Sequence, residues 1–357
     1  MTPTSVPCLL LGVTLTLLSA CSVEAPSGNA VGGQSGSGAT AVAGTSGMVA
    51  GAAGAGGSGT GGTGGSAGQA SGGSAAGGAA GGMGASGGLG GGGGAGGEQG
   101  GSGGSPLPPI TDYAAPGPFT TKAEGGLGPG GKYRIIRPET LGEDGFLHAP
   151  IVFGPGTGME VMQLDAFLSR IASHGFVIIG ARLDGGPGNP ASKETMLQGL
   201  DWILEQNTTG GSVFEGKLDV QRAVAMGYSV GGTAAVEIGE HEAIMTVVSI
   251  HGHDATSALH GPLLQTSGID DGVGLPLQES TFMKSQVQTF LGIVAEADHF
   301  YIQGTHDGVP GGVETPAIVA WLRYWVYRDE GGKKYFYGDD CVMCQSPWTM
   351  PQRKNWQ

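Results

Sequence analysis

The chain has 357 residues, 75 of them glycine, with 30 acidic against 16 basic side chains and a formal net charge of -14. Glycine is concentrated before residue 105, so the polymer cannot be one uniform globule. The negative charge argues against nucleic acid or an anionic lipid surface as a partner.

An apolar run at residues 9–18 is too short to cross a bilayer, and residues 1–20 read as a secretory signal. The run ends in Leu18-Ser19-Ala20-Cys21, which resembles the bacterial lipobox, where Cys21 would carry a diacylglycerol thioether as the mature N-terminus. Residues 1–7 depart from that pattern in having no Lys or Arg, and ordinary secretion with cleavage nearby is the other reading. The expected location is the cell envelope, as an outer-membrane lipoprotein on its periplasmic or surface face, or the medium as a secreted protein. Residues 21–109 are dominated by Gly, Ala, Ser and Thr and bring too little apolar surface to offset ordering entropy. They are expected to form a disordered tether reaching on the order of 50 Å root-mean-square. Membrane contact would then be made only through a lipid anchor at Cys21.

Residues 110–357 alternate strand-like and helix-like segments and are long enough for one α/β domain. Strands are predicted at 133–136, 150–153, 176–179, 223–226, 246–250, 263–266 and 290–294. Several are unbroken apolar runs, as parallel strands buried on both faces should be. Helices are predicted at 163–173, 193–205 and 232–238. A last helix would open with Thr315 as cap and Pro316 in its first turn, carry Ile318, Trp321, Leu322, Trp325 and Val326 on one face, and end at Gly331-Gly332. Gly126 to Tyr133 comes close to a phosphate-binding loop, but Tyr133 stands where Ser or Thr is required.

The chemistry centres on Gly227-Tyr228-Ser229-Val230-Gly231, where an apolar strand breaks into a helix. In a Gly-x-Ser-x-Gly elbow the serine has a strained backbone, and only small residues two before and two after it avoid collision. The same pattern recurs around Ser66, Ser86 and Ser102, but in a glycine tract that cannot pack a sheet. A helix starting near Val230 would aim free N–H groups and its positive dipole end at Ser229. A serine nucleophile needs a base and an acid to orient that base, in the chain order Ser, Asp or Glu, His on loops after strands. Asp271 follows one downstream strand and His299 the next, with Asp270 and Asp298 as alternative acids. The segment His251-Gly252-His253-Asp254 has a His-x-His pair but lacks the fuller clusters of hydrolytic metal sites. No metal or cofactor is expected.

These residues resemble the bacterial cutinase-like polyester hydrolases, a branch of the α/β-hydrolases adjoining the dienelactone-hydrolase and chlorophyllase-like esterases. The likeness covers nearly all of residues 130–345. It implies an α/β-hydrolase fold, a mostly parallel twisted sheet flanked by helices with no lid domain, since only a short loop separates the strands ending near Ile250 and beginning at Leu263. It also implies that Thr157, in the loop Phe153-Gly154-Pro155-Gly156-Thr157-Gly158, and Val230 supply the oxyanion-hole N–H groups, and it favours Asp271 as the acid. Family members often carry a disulfide near the C-terminus, which makes Cys341 and Cys344 a candidate pair. Polyester hydrolases usually place an aromatic side chain where Thr157 stands and a tryptophan where His253 stands. Tyr228 and His253 are candidates to line the substrate cleft. The expected function is a monomeric serine esterase acting on small or polymeric esters. A thioesterase or amidase with the same residues, or a non-catalytic binding lipoprotein on a hydrolase scaffold, are the alternatives.

Overall fold

Alternate apolar side chains of the central strands part to opposite sides of one sheet. Ile151, Phe153, Val224 and Met226 pack on one face, and Val152, Ala223 and Ala225 on the other. The computed structural model describes residues 107–181 and 191–356. The expected leader, Cys21 and nearly all of the expected tether lie outside the described residues. The carbonyl of Pro108 accepts a hydrogen bond from Arg323 at 2.9 Å, so contacts with the domain begin ahead of Ile110.

The strands are β1 (Thr121–Leu127), β2 (Tyr133–Pro138), β3 (Pro150–Gly154), β4 (Val177–Ala181), β5 (Ala223–Tyr228), β6 (Ile244–Ile250), β7 (Leu263–Gly268) and β8 (Thr289–Val294). A small hairpin of β9 (Thr305–His306) and β10 (Val309–Pro310) precedes the last strand, β11 (Trp348–Lys354). The 9-stranded sheet runs β1-β2-β4-β3-β5-β6-β7-β8-β11. Strands β4, β3, β5, β6, β7 and β8 are mutually parallel, and β2 and β11 join them antiparallel. Each strand predicted from the sequence is present, as β2 to β8.

Helices α1 (Asp165–Ala172) and α5 (Glu314–Tyr327) cover one face, where Phe167, Leu168 and Ile171 meet Ile318, Trp321 and Leu322. Helices α2 (Lys193–Gln206) and α3 (Val230–Ile238) cover the other through Met196, Leu200, Ala235 and Ile238. Each such large side chain removed from water contributes about 1.5–3 kcal/mol. Trp321 is fully buried, and its indole N–H is satisfied by the Thr246 hydroxyl at 2.8 Å, pinning α5 to β6.

Several elements differ from expectation for local reasons. Strand β1 contains Gly125 and Gly126 after the charged Lys122 and Glu124, and β11 contains Pro351 and Arg353; as edge strands with irregular register they have no apolar run to reveal them. Helix α4 (Gly274–Lys284), between β7 and β8, was not predicted, because it opens on Gly274 and Pro276 and buries polar Gln278 and Thr281. Helix α5 starts at Glu314 with Val313 at the cap position, so Thr315 is inside the helix and donates its hydroxyl to Pro310 O at 2.5 Å. It ends before Arg328, which turns left-handed at φ 62°, while Gly331 and Gly332 lie in a separate 3-10 turn.

The elbow depends on contact between glycines. A Cβ at Gly227 would lie 2.1 Å from the Gly231 carbonyl oxygen, and one at Gly231 would lie 1.9 Å from that of Gly154. Gly231→Ala is therefore expected to overpack the junction of β3, β5 and α3. A melting temperature lowered by roughly 3–10 °C is the anticipated result. An unchanged thermal unfolding curve would contradict this close packing.

Candidate active site

Strand β5 ends near the centre of the sheet, and the chain leaves it through Ser229 at φ 56° and ψ -124° before entering α3. This is a costly conformation for a residue with a Cβ, about 1–3 kcal/mol, and it persists because the surroundings over-determine it. The Ser229 N–H donates to Ile250 O at 2.9 Å, while Ser229 O accepts the α3 N–H groups of Gly232 and Thr233 at 2.9 and 3.2 Å. Val230 is the first residue of α3, where a backbone N–H has no acceptor within the helix.

His299 lies on the loop after β8. Its Nε2 is 3.0 Å from Ser229 Oγ, and its Nδ1 is 3.0 and 3.1 Å from the two oxygens of Asp271. With the Nδ1 proton on Asp271, Nε2 is free to accept from the serine hydroxyl. Asp271 is buried on the turn between β7 and α4. It accepts the backbone N–H groups of Gly274 at 2.6 Å and Val273 at 3.2 Å, and the Ser267 hydroxyl at 3.2 Å. Burial opposes its ionisation, but hydrogen bonds from His251 and His299 and from the Gly274 N–H outweigh it. Its pKa is therefore held well below the usual carboxylate range. Asp270 and Asp298 are exposed, and Asp298 caps its own turn by accepting the Phe300 N–H at 2.9 Å.

The profile of a family described as PETase, PET hydrolase-like, matches residues 108–349. The chain belongs to this family. It is accordingly an ester hydrolase of the α/β-hydrolase fold. A comparison with curated proteins finds no match.

Other residues nominated from the sequence of this PET hydrolase-like protein fall around the same point. Thr157 is exposed in the loop after β3, next to Gly156, which lies against the Tyr228 ring. His253 is partly buried with its ring 6.2 Å from that of His299; burial, then the charge of His299, lowers its pKa. A cleft of about 530 Å³ opens beside Val230, Thr233 and His253. Tyr228 needs correction as a cleft-lining residue. It is only 2% exposed, because β5 turns it into the core, and its hydroxyl donates to His299 O at 2.8 Å and accepts from Gln303 at 3.0 Å. It braces the histidine loop from below. Burial raises its pKa to about 12. Cys341 and Cys344 are joined in a disulfide beside β11, remote in sequence from these loops.

In the sequence His251 stands out only as part of the His-x-His pair, and Glu314 not at all. His251, just past β6, lies 2.8 Å by Nδ1 from Asp271 Oδ2, and its Nε2 is 3.2 Å from Glu314 Oε1 and 3.3 Å from Oε2. Both side chains are fully buried. The clue was present in the His-x-His pair, but sequence could not say which histidine points inward. His251, Asp271 and His299 present ligand-type atoms within 4.8 Å of one another, and each is engaged in the hydrogen bonds just described.

Burial alone would lower the pKa of His251, but Glu314 and then Asp271 more than reverse this and raise it to about 9. A histidine whose folded pKa exceeds its unfolded value of about 6.5 stabilises the fold fully below that pH. The contribution is lost as pH rises through about 9. The melting temperature is expected to decline between these limits, and calorimetry across the range on the unsubstituted protein and on His251→Phe/Glu314→Leu checks it. The slope should flatten in the double variant.

Proposed function

We propose that this protein is a serine esterase that cleaves carboxylic esters through an acyl-enzyme. The observation that carries the reading is the pair of contacts made by one imidazole, to the Ser229 hydroxyl at 3.0 Å and to the buried Asp271 carboxylate at 3.0 Å. As His299 Nε2 takes the serine proton, Oγ attacks the ester carbonyl and forms a C–O bond, and the carbonyl π electrons move to oxygen. The N–H groups of Val230 and Thr157 receive that oxyanion, aided by the positive end of α3. Collapse expels the alkoxide, which takes the proton from His299, and a water activated by the same imidazole then hydrolyses the acyl-serine. Asp271 stays ionised throughout and holds the imidazole with Nδ1 protonated.

Polymeric esters are compatible with a site that is approached from solvent, since residues 251–262 form a connection without helix or strand. Phe300 is 63% exposed and meets His299 edge-on at 5.6 Å, an apolar surface suited to an acyl chain or ring at the point of attack. The lipobox-like Cys21 supports a cell-envelope or secreted location for this activity.

Ser229→Ala and His299→Ala are each expected to lower kcat on nitrophenyl esters by at least about 10³-fold with the fold intact by circular dichroism. A fluorophosphonate should label Ser229 and no other residue. A chain-length series of esters with a polyester film alongside would define the acyl preference. Undiminished hydrolysis by either variant would refute the reading.

A further inference from the structure

Behind the carboxylate that meets His299, the buried His251 and Glu314 form a second layer. His251 has a left-handed backbone, φ 47°, and its N–H donates to Thr266 O at 2.8 Å, extending the β6–β7 ladder one rung. Its Nδ1 approaches Asp271 Oδ2 at 2.8 Å, the oxygen that is 3.1 Å from His299 Nδ1 and accepts the Ser267 hydroxyl. On the far side, Glu314 opens α5, where the positive end of the helix favours a carboxylate.

Protons can be counted here without deciding where each one sits. A neutral imidazole has a single N–H, yet carboxylates flank both ring nitrogens. Either the ring is an imidazolium between two carboxylates, or a neutral ring accepts at Nε2 from a protonated Glu314. In both forms Nδ1 donates to Asp271, and the three groups carry one net negative charge. The raised pKa of His251 favours the first form. The other groups facing the two histidines are Tyr228 from β5, Ser267 from β7 and His253 from the loop after β6. A buried ion pair contributes little stability compared with apolar side chains of the same volume, so bulk stability does not explain its position behind this carboxylate.

We propose that His251, seated between Asp271 and Glu314, is a positioning residue for the reaction, its Nδ1–H fixing the rotation of the Asp271 carboxylate and tempering the oxygen shared with His299. The proposal rests on the esterase reading of the same site. A carboxylate held from behind presents its oxygens to His299 in one orientation. A carboxylate that already accepts from His251 also grips the His299 imidazolium less tightly.

Three forms test it: the unsubstituted protein, His251→Phe/Glu314→Leu, and Glu314→Gln. The double substitution removes both charges and so leaves no uncompensated one buried. Glu314→Gln keeps the ring, with the amide donating to Nε2 and Nδ1–H still on Asp271. For the double variant, kcat on a soluble nitrophenyl ester is expected to fall about tenfold with KM within about twofold. The acid limb of its pH–rate profile should move up by about half a unit or more. Glu314→Gln should retain kcat within about threefold. A folded double variant with kcat and acid limb unchanged overturns the proposal, as does Glu314→Gln falling as far as the double variant. Should the double variant not fold, nitrogen-15 NMR of the unsubstituted protein decides, because His251 Nδ1 must bear a slowly exchanging proton between about pH 6 and 8. A bare Nδ1 overturns the proposal without any variant. Fluorophosphonate labelling rates of Ser229 are measured in parallel. Labelling without turnover of any ester would refute the ester reading, while the relative labelling rates of the three forms would still decide the role of His251.

Discussion

A carboxylate removed from water remains ionised only if the protein supplies donors in place of its hydration shell. Asp271 meets that requirement with two imidazoles, two backbone N–H groups and a serine hydroxyl. Those donors come from the ends of β6 and β7, the entry to α4 and the loop after β8, while α5 supplies the residue that holds the inner imidazole. The elements can satisfy one oxygen pair only if their ends are aligned to within a hydrogen-bond length. The site is thus a constraint on the sheet as much as a product of it.

Alignment is carried by the backbone ladder, which continues beyond the strands. Ser229 N–H bonds to Ile250 O at 2.9 Å, His251 N–H to Thr266 O at 2.8 Å, and Asp270 N–H to Ala297 O at 3.0 Å. Each of these rungs ties a residue just past one strand to the end of the neighbouring strand or to the loop that follows it. The strained serine is part of the same arrangement, since the Gly154, Gly227 and Gly231 contacts leave the chain no room to relax into an ordinary turn. Tyr228 ties β5 to the histidine loop through its hydroxyl. Rigidity at this edge serves the chemistry because a hydroxyl, an imidazole and a carboxylate work together only within hydrogen-bond reach.

The surroundings of the site combine polar and apolar groups. The cleft beside Val230 and His253 is lined by hydroxyl and charged groups such as Ser192, Thr233 and Glu237. Phe300 is an exposed aromatic side chain that meets His299 edge-on.

Much of this was legible along the chain. Apolar runs buried on both faces announced β2 to β8, and the spacing of Gly227, Ser229 and Gly231 announced the elbow, because both signals arise from neighbours in sequence. Edge strands β1 and β11 and helix α4 were not, since their polar, Gly- and Pro-bearing segments owe their form to what they pack against. Among Asp270, Asp271 and Asp298, identical in chemistry and each just past a strand, only the path of its turn decides which carboxylate is buried. The distinction between His251 and His253 is of the same kind. Local sequence determined the strands and the elbow through steric and hydrophobic rules that act over a few residues. Which histidines share Asp271, and that Glu314 stands behind one of them, was decided by tertiary structure, because those contacts join positions 20 to 63 residues apart that meet only when the sheet is assembled.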